Sequence, residues 1–459
     1  MVINSQVGAR GVLALLCGAP FLAGLDQFVV NVAFPDIGAD FPDHPLTHLG
    51  WVLSGYSIVF AALLVPAGRY ADRVGHKRVF VAGLALFTLA SAAAAASPGL
   101  WTLVAFRLVQ AVGAAALTPT SLSLLLASVA PERRGHSVRI WAATGALASA
   151  LGPVVGGLLV ELSWRWIFLI NVPVGVVLVV LALRVLPDHH GRDAGQALDL
   201  SGALLLTIGI GALAVGVVQA NDWTPLNVLV SLVVAAIALA AFTARNLRHP
   251  APLISRALVR VRTFSWSVVA SLLFSATFAA GLLALVLWLQ DVWGYSAIRT
   301  GLALAPGPLA VPVFAIGGQA LLRRFAPAVL ASVGCLLWAA GSVLLLASVG
   351  PVPDYLGAVL PGWLLAGIGV GLAFPTILSS ATAELPPASS ATGSAVVTMA
   401  RQVGAVLGVS VLIAVLGRPS GYDAAHAAFQ ASWWTVAASG VVAAVVSWGI
   451  SPRTVRTEA

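Results

Sequence analysis

Few residues in this sequence can do chemistry, and three of them lie deep inside long apolar runs. Asp26 is the one deep acid; Arg107 and Arg401 are the two deep bases. A charge at such a depth costs about 2.5–3.5 kcal/mol on insertion scales, so each is a first place to look for function. Asp26 sits about eight residues from the outer end of the first run, and Arg107 about seven from that end of the fourth, which runs the opposite way. At 1.5 Å per residue the two reach similar depth and can meet if both helices face one cavity. Gln110 follows Arg107 by one turn, and Asn31 stands one turn above Asp26. A carboxyl so placed can bind and release a proton, because burial and a nearby arginine pull its ionisation in opposite directions. The same pair can instead be a static bond that fixes helix packing. Arg401, near the middle of the thirteenth run, can contact an anionic substrate group, pair with Asp26, or bond backbone carbonyls across a kink. Asn31, Gln110 and Arg401 are the candidate cavity residues.

Two further stretches carry a pattern. Gly68, Arg69, Asp72, Arg73, Gly75, His76, Lys77 and Arg78 form a dense charged turn between the second and third runs. Asp72 there can cap a neighbouring helix or pair with an arginine, giving a latch, while the basic residues also fix topology. The fifth run carries Gly145, Ser149, Pro153 and Gly157 at four-residue spacing, with Gly152 and Gly156 alongside. Small residues at that spacing let helices approach closely, and a proline can bend one, so a packing seam with a hinge is expected rather than a catalytic site.

Other chemistries find no residues. With Lys77 as the single lysine and no phosphate loop, ATP-driven transport by this chain alone is not expected. The glycines at 367, 369 and 371 lie in an apolar helix with no strand before them and read as packing. Cys17 and Cys335 lie in apolar runs, and neither Cys nor His clusters as metal ligands do. No nucleophile, base and metal set suggests an enzyme, and no cofactor is expected. The basic residues sit in short loops and never form a stripe, so nucleic acid is not an expected partner.

The elements that position these residues follow from composition. The chain has 459 residues, 59% hydrophobic and only 9% charged, against roughly 25% charged in soluble domains. Its runs are continuously apolar, which excludes an alternating membrane barrel. Fourteen helices are predicted at roughly 12–34, 49–69, 79–97, 100–128, 138–161, 167–186, 201–219, 226–244, 265–290, 300–322, 327–348, 355–379, 391–416 and 428–450. The first is read as a retained helix, not a signal peptide. Nineteen Lys and Arg fall on the side of the termini and three on the other, so both termini are expected in the cytoplasm. The expected architecture is an all-α polytopic membrane protein. It has a six-helix bundle over 1–186, two extra helices and linkers over 187–263, and a second six-helix bundle over 264–459. Gly318 to Phe325 faintly echoes Gly68 to Gly75, as internal repeats in transporters do.

These motifs resemble the major facilitator superfamily in its fourteen-helix drug:proton antiporter branch. The resemblance spans essentially the whole chain. Leu25, Asp26, Val30, Asn31, Val32, Ala33 and Pro35 look like that branch's helix 1 signature. Gly68 to Arg78 looks like the loop motif, and Arg107, Gln110 and Gly113 like the helix 4 motif tied to proton coupling. Gly145 to Gly157 is similar to the antiporter motif, and Trp164 to Gly175 and Arg401, Gln402 and Gly404 also fit. Phe28 stands where threonine is frequent, and Tyr70 where leucine is. Helices 10 and 13 lack an acid, so neutral, zwitterionic, anionic or singly cationic amphiphiles are expected rather than dications. The resemblance implies a monomeric cytoplasmic-membrane exporter of amphipathic small molecules driven by inward proton flow, with Asp26 and Arg107 coupling the proton. A metabolite facilitator or importer on the same fold, or a non-transporting sensor or scaffold, are the alternatives.

Overall fold

The computed structural model describes residues 9–129, 131–186, 199–220, 223–249, 252–254, 256–321, 324–385, 387–417 and 421–451. All regular structure among them is helical. In hydrocarbon each backbone polar group must be paired within its own segment, which is why continuous apolar runs become helices. The first half comprises α1 (Ala9–Asp40), α2 (Leu46–Val74), α3 (His76–Ala95), α4 (Leu100–Ser128), α5 (Pro131–Val160) and α6 (Trp166–Leu169 and Asn171–Val185). Two further helices follow, α7 (Leu200–Val218) and α8 (Pro225–Arg248). The second half has α9 (Arg262–Leu287, ending in a π turn at Trp288–Val292) and α10 (Ala297–Leu304, then Pro306–Leu321). It continues with α11 (Pro327–Ser348), α12 (a π turn at Tyr355–Val359 leading into Leu360–Ala383), α13 (Pro387–Leu416) and α14 (Tyr422–Ser447).

Twelve of these helices are long and apolar enough to cross a membrane. The fourteen expected from sequence are therefore not all matched. Within α5 and α7 the apolar stretches among the described residues are only Leu151–Val160 and Ser201–Val217. The latter is bounded by Asp199, which caps α7 through the Gly202 amide, and by Gln219 at its other end. Large apolar side chains such as Leu183, Leu229, Ile237 and Val445 remain on the outer surface, where lipid tails replace water as their solvent.

The two halves pack by one plan. In the first, α1 lies on α5, α2 on α4, α3 on α4, and α3 on α6. In the second, α9 lies on α13, α10 on α12, α11 on α12, and α11 on α14, the same pairs counted from the start of each half. Contacts between halves are reciprocal: α2 meets α13, and α5 meets α10. The α7–α8 pair packs through α7 onto α2 and α13, so it lies over one of these two seams. Ala214 of α7 is buried with Ile58 of α2 and Val406 of α13.

Glycines set the tightest approaches. Gly152 and Gly156 of α5 face Phe28 and Val29 of α1, and a Cβ on Gly156 would come 3.0 Å from the Val29 carbonyl oxygen. In the matching place of the second half, Gly404 and Gly408 of α13 lie against the carbonyls of Leu272 and Ala276 on α9, closer than any Cβ allows. Four-residue spacing recurs in both seams, as close helix packing requires. Gly157 takes part in the α5–α10 contact, where a Cβ would lie 2.6 Å from the Ala297 carbonyl oxygen. Gly145 does not belong to this seam: nothing lies within 4 Å of where its Cβ would be. Pro153 is inside α5, whose helix continues through it to Val160.

The charged turn is shorter than expected. Helix α2 continues through Gly68 and Asp72 to Val74, and α3 starts at His76. Gly75 alone turns the chain, at φ 111°, where a side chain would be strained. Of the faint echo at 318–325, positions 322 and 323 lie outside the described residues.

Candidate functional site

Asp26 and Arg107 do meet. Arg107 Nη1 lies 2.5 Å from Asp26 Oδ2, and each residue is 1% exposed. The meeting place is the interior of the first bundle, not an open cavity between the halves. Gln110 donates from Nε2 to Asp26 Oδ1 at 2.9 Å and accepts from Arg107 Nη1 at 2.6 Å. Asn171 of α6 donates to Asp26 Oδ1 at 2.7 Å. Ser91 of α3 accepts from Gln110 at 2.6 Å and from Asn171 at 3.3 Å, and donates to the Phe87 carbonyl at 2.9 Å. Arg107 Nε donates to the Val52 carbonyl of α2 at 3.2 Å, and its guanidinium lies 4.2 Å from the Tyr56 ring centre. Five helices thus supply one network around one carboxylate.

The arrangement suits an ionised Asp26. Its oxygens accept from three donors, and charge-assisted hydrogen bonds of this kind are the strong ones. Breaking such a buried pair by removing one partner costs about 3–5 kcal/mol, because a bare charge stays behind. Asn171 Oδ1 is a buried acceptor without a hydrogen-bond partner, the one loose end of the network.

Gln110 was expected in a substrate cavity. It is fully buried in this network instead, held there because both of its amide atoms are used. Asn31 stays on α1 and turns its amide back to the Gln27 and Phe28 carbonyls, at 3.1 and 3.4 Å. Arg401 is elsewhere, on α13 in the second half. It does not pair with Asp26. Its guanidinium carbon lies 4.8 Å from the Phe374 ring centre, and its Nε is a buried donor with no acceptor.

The residues next to Asp26 and Arg401 join the halves. Gln27 donates to Gln402 Oε1 at 3.0 Å, and Gln402 donates back to Gln27 Oε1 at 3.3 Å. Nearby, the Phe28 ring of α1 meets the Phe278 ring of α9 edge-on at 6.3 Å. Sequence reasoning assigned no role to Ser91, Tyr56 or Gln27, and read Asn171 and Gln402 only as parts of motifs. A polar side chain in an otherwise apolar run was the available signal.

At the end of α2, Asp72 lies 3.4 Å from His76 Nε2, across the Gly75 turn. Arg69 reaches the Pro252 carbonyl in the linker after α8, at 2.9 Å. Gly68, Arg69 and Asp72 border a small groove closed by Pro119 and Ser123 of α4 and by Thr392 of α13. Arg73 and Arg78 are exposed, and Lys77 lies in the first turn of α3. At the other end of the bundle, Asp40 accepts from Trp164 Nε1 at 2.7 Å and from Arg165 at 3.1 Å, tying α1 to the start of α6.

Solved structures share this fold. A POT family transporter in complex with 5-aminolevulinic acid superposes with a TM-score of 0.73 at 16% identity, covering 97% of this chain and 98% of its own. A human organic anion transporter gives 0.67 at 15%, covering 96% and 100%. Closer in sequence is the cephamycin export protein of Amycolatopsis lactamdurans, 36% identical over 89% of this chain and 85% of its own. The methylenomycin A resistance protein of Streptomyces coelicolor is 32% identical over 95% and 91%. The puromycin resistance protein of Streptomyces alboniger is 35% identical over 90% and 83%. The family profile itself matches residues 16–409, from α1 into α13, and with these relatives it establishes that the chain belongs to the Major Facilitator Superfamily.

Proposed function

We propose that this membrane transporter exports amphipathic small molecules across the cytoplasmic membrane in exchange for protons entering the cell. Relatives named for antibiotic export or resistance support the cargo and the direction. The observation that carries the proton half is the Asp26 carboxylate, sealed inside the first bundle among groups that only donate to it. A proton on Asp26 turns one acceptor into a donor, so the ion pair and this packing cannot survive it together. Arg107 is then left with the Val52 carbonyl, Gln110 and the Tyr56 face. Asn171 Oδ1 is placed to accept from the new O–H once its amide rotates.

In this reading all fourteen helices cross the bilayer, with both chain ends on the cytoplasmic side where most basic residues fall. The bundles over 1–186 and 264–459 rock about the α2–α13 and α5–α10 seams, and 187–263 supplies the extra pair. A monomer suffices, and the proton gradient is the energy source without a cofactor. The Gln27–Gln402 pair transmits a shift of α1 to α13, and Asp72 with its neighbours latches the end of α2. A facilitator would instead move cargo down its own gradient with no proton response.

The test is reconstitution in vesicles with a pH-sensitive dye inside. Adding cargo should drive proton movement, and Asp26→Asn should abolish both that signal and uphill export. An Asp26→Asn protein that is correctly inserted and still concentrates cargo as well as the parent overturns the proposal.

A further inference from the structure

Arg401 poses a problem that the proton site does not solve. It lies at the middle of α13, about 20 Å of helix from either end at 1.5 Å per residue. Its Nε is buried without an acceptor, and no hydrogen bond or ion pair to its guanidinium exists among the described residues. No acid on the surrounding helices can supply one. On the helices that contact α13 the acids are Asp72 of α2, Asp199 at α7, Asp291 of α9, Asp354 and Glu384 at α12, and Asp423 of α14, all at helix ends, and α4 and α13 have none. Asp26 is committed to Arg107. A lone deep cation of this kind is costly and calls for a partner that is not part of the chain.

Its surroundings define that partner. Phe374 lies under the guanidinium at 4.8 Å. The Phe374 ring meets Phe274 at 4.8 Å and Phe278 at 5.7 Å, both edge-on, and Phe278 continues to Trp338 and to Phe28 across the interface. Phe28, Phe278, Phe374 and Arg401 all keep partial exposure at mid-depth, so the interface between the halves is not filled there. Gln402, the next residue, holds the amide bridge to α1.

We infer that Arg401 binds the anionic group, a carboxylate, of an exported aromatic or apolar molecule whose body rests on Phe374, Phe278 and Phe28. This rests on the transporter reading above and names its cargo class. A planar guanidinium pairs bidentately with a carboxylate, and a low-dielectric aromatic wall strengthens that pairing. The anion would neutralise the deep charge left open among the described residues, and it would do so beside the bridge between halves. The choice also fixes the electrical signature. One anion leaving as one proton enters moves two charges in the same sense, whereas a neutral molecule in the same exchange moves one.

The experiment uses the purified full chain in nanodiscs of zwitterionic lipid only, which removes anionic headgroups as a source of the carboxylate chemistry. The probes are naphthyl, biphenyl and indolyl monocarboxylates, their methyl esters and the matching primary amines, read by tryptophan fluorescence. Carboxylates should bind at least tenfold tighter than their esters and more tightly still than the amines. Arg401→Gln should erase that preference and keep ester binding, and Arg401→Lys should retain part of it. Equal binding of esters or amines, no binding of any carboxylate, or an unchanged preference in Arg401→Gln overturns the inference. Asp26→Asn separates the two proposals: it should lose proton coupling yet keep the carboxylate preference. Loss of the preference in Arg401→Gln while Asp26→Asn still couples protons would leave the cargo assignment standing and remove Asp26 as the proton site.

Discussion

The two halves are built on one packing plan, yet they treat a buried charge in opposite ways. In the first, Arg107 is closed off by Asp26, Gln110, the Val52 carbonyl and Tyr56. In the second, Arg401 has an aromatic face and a donor with no acceptor. The glycine seams of α5 on α1 and α13 on α9 match, so the helices arrive alike and the side chains diverge. One half holds a charge pair; the other holds a cation with no hydrogen-bond or ion-pair partner among the described residues.

The sharpest way to break this comparison is to remove each arginine. Arg107→Ala leaves Asp26 buried without its counter-charge, and should lower unfolding stability by about 3–5 kcal/mol. Arg401→Gln removes a cation that has no partner, and should leave stability unchanged or raise it by about 1 kcal/mol. Chemical unfolding of the two proteins in the same detergent decides it; equal losses would show that Arg401 is structurally paired after all.

A second test concerns the shared seams. Gly404→Ala drives a Cβ into the Leu272 carbonyl and should cost about 1–3 kcal/mol, with transport slowed. Gly145→Ala meets nothing and should be neutral or stabilise α5 by about 0.5–1 kcal/mol. Thermal unfolding of both variants separates a seam residue from one that only resembles it in spacing.

The smallest effect is expected outside both halves. Burial works against ionised Asp199, but Arg245 and the Gly202 amide outweigh it and hold the carboxyl below its ordinary value. A depressed carboxyl stabilises the folded form at neutral pH and stops doing so as pH falls through its folded value. Asp199→Asn should therefore cost about 1 kcal/mol at pH 7 and nothing once acid has protonated the parent. Hydrogen exchange at the start of α7, followed from neutral pH down to the acid range, checks this.

Much of the buried Asp26–Arg107 cluster was legible because depth along a helix is simple arithmetic. Asp26, Arg107 and Gln110 fall at one level, and they meet. The arithmetic does not say which way a side chain points around the helix, so Gln110 was assigned to a cavity when it turns inward. Ser91 and Asn171 were illegible as partners, since a single serine or asparagine in an apolar run looks the same whether it bonds its own helix or another. Gln27 and Gln402 needed knowledge that α1 and α13 touch, which no local pattern carries. The turn at 68–78 was overestimated because charge and glycine read as loop; Gly68 instead sits in helix beside Pro119, and only Gly75 leaves it.

The placement of α7 has a consequence for molecules that travel dissolved in the bilayer. Of the two lines along which the halves meet, α2 with α13 is roofed by α7, whereas among the described residues no extra helix covers α5 with α10 in that way. A protein whose halves are near copies therefore shows the lipid two unlike flanks, one shuttered and one bare. An amphiphile diffusing in the plane of the membrane meets a molecule with a front and a back.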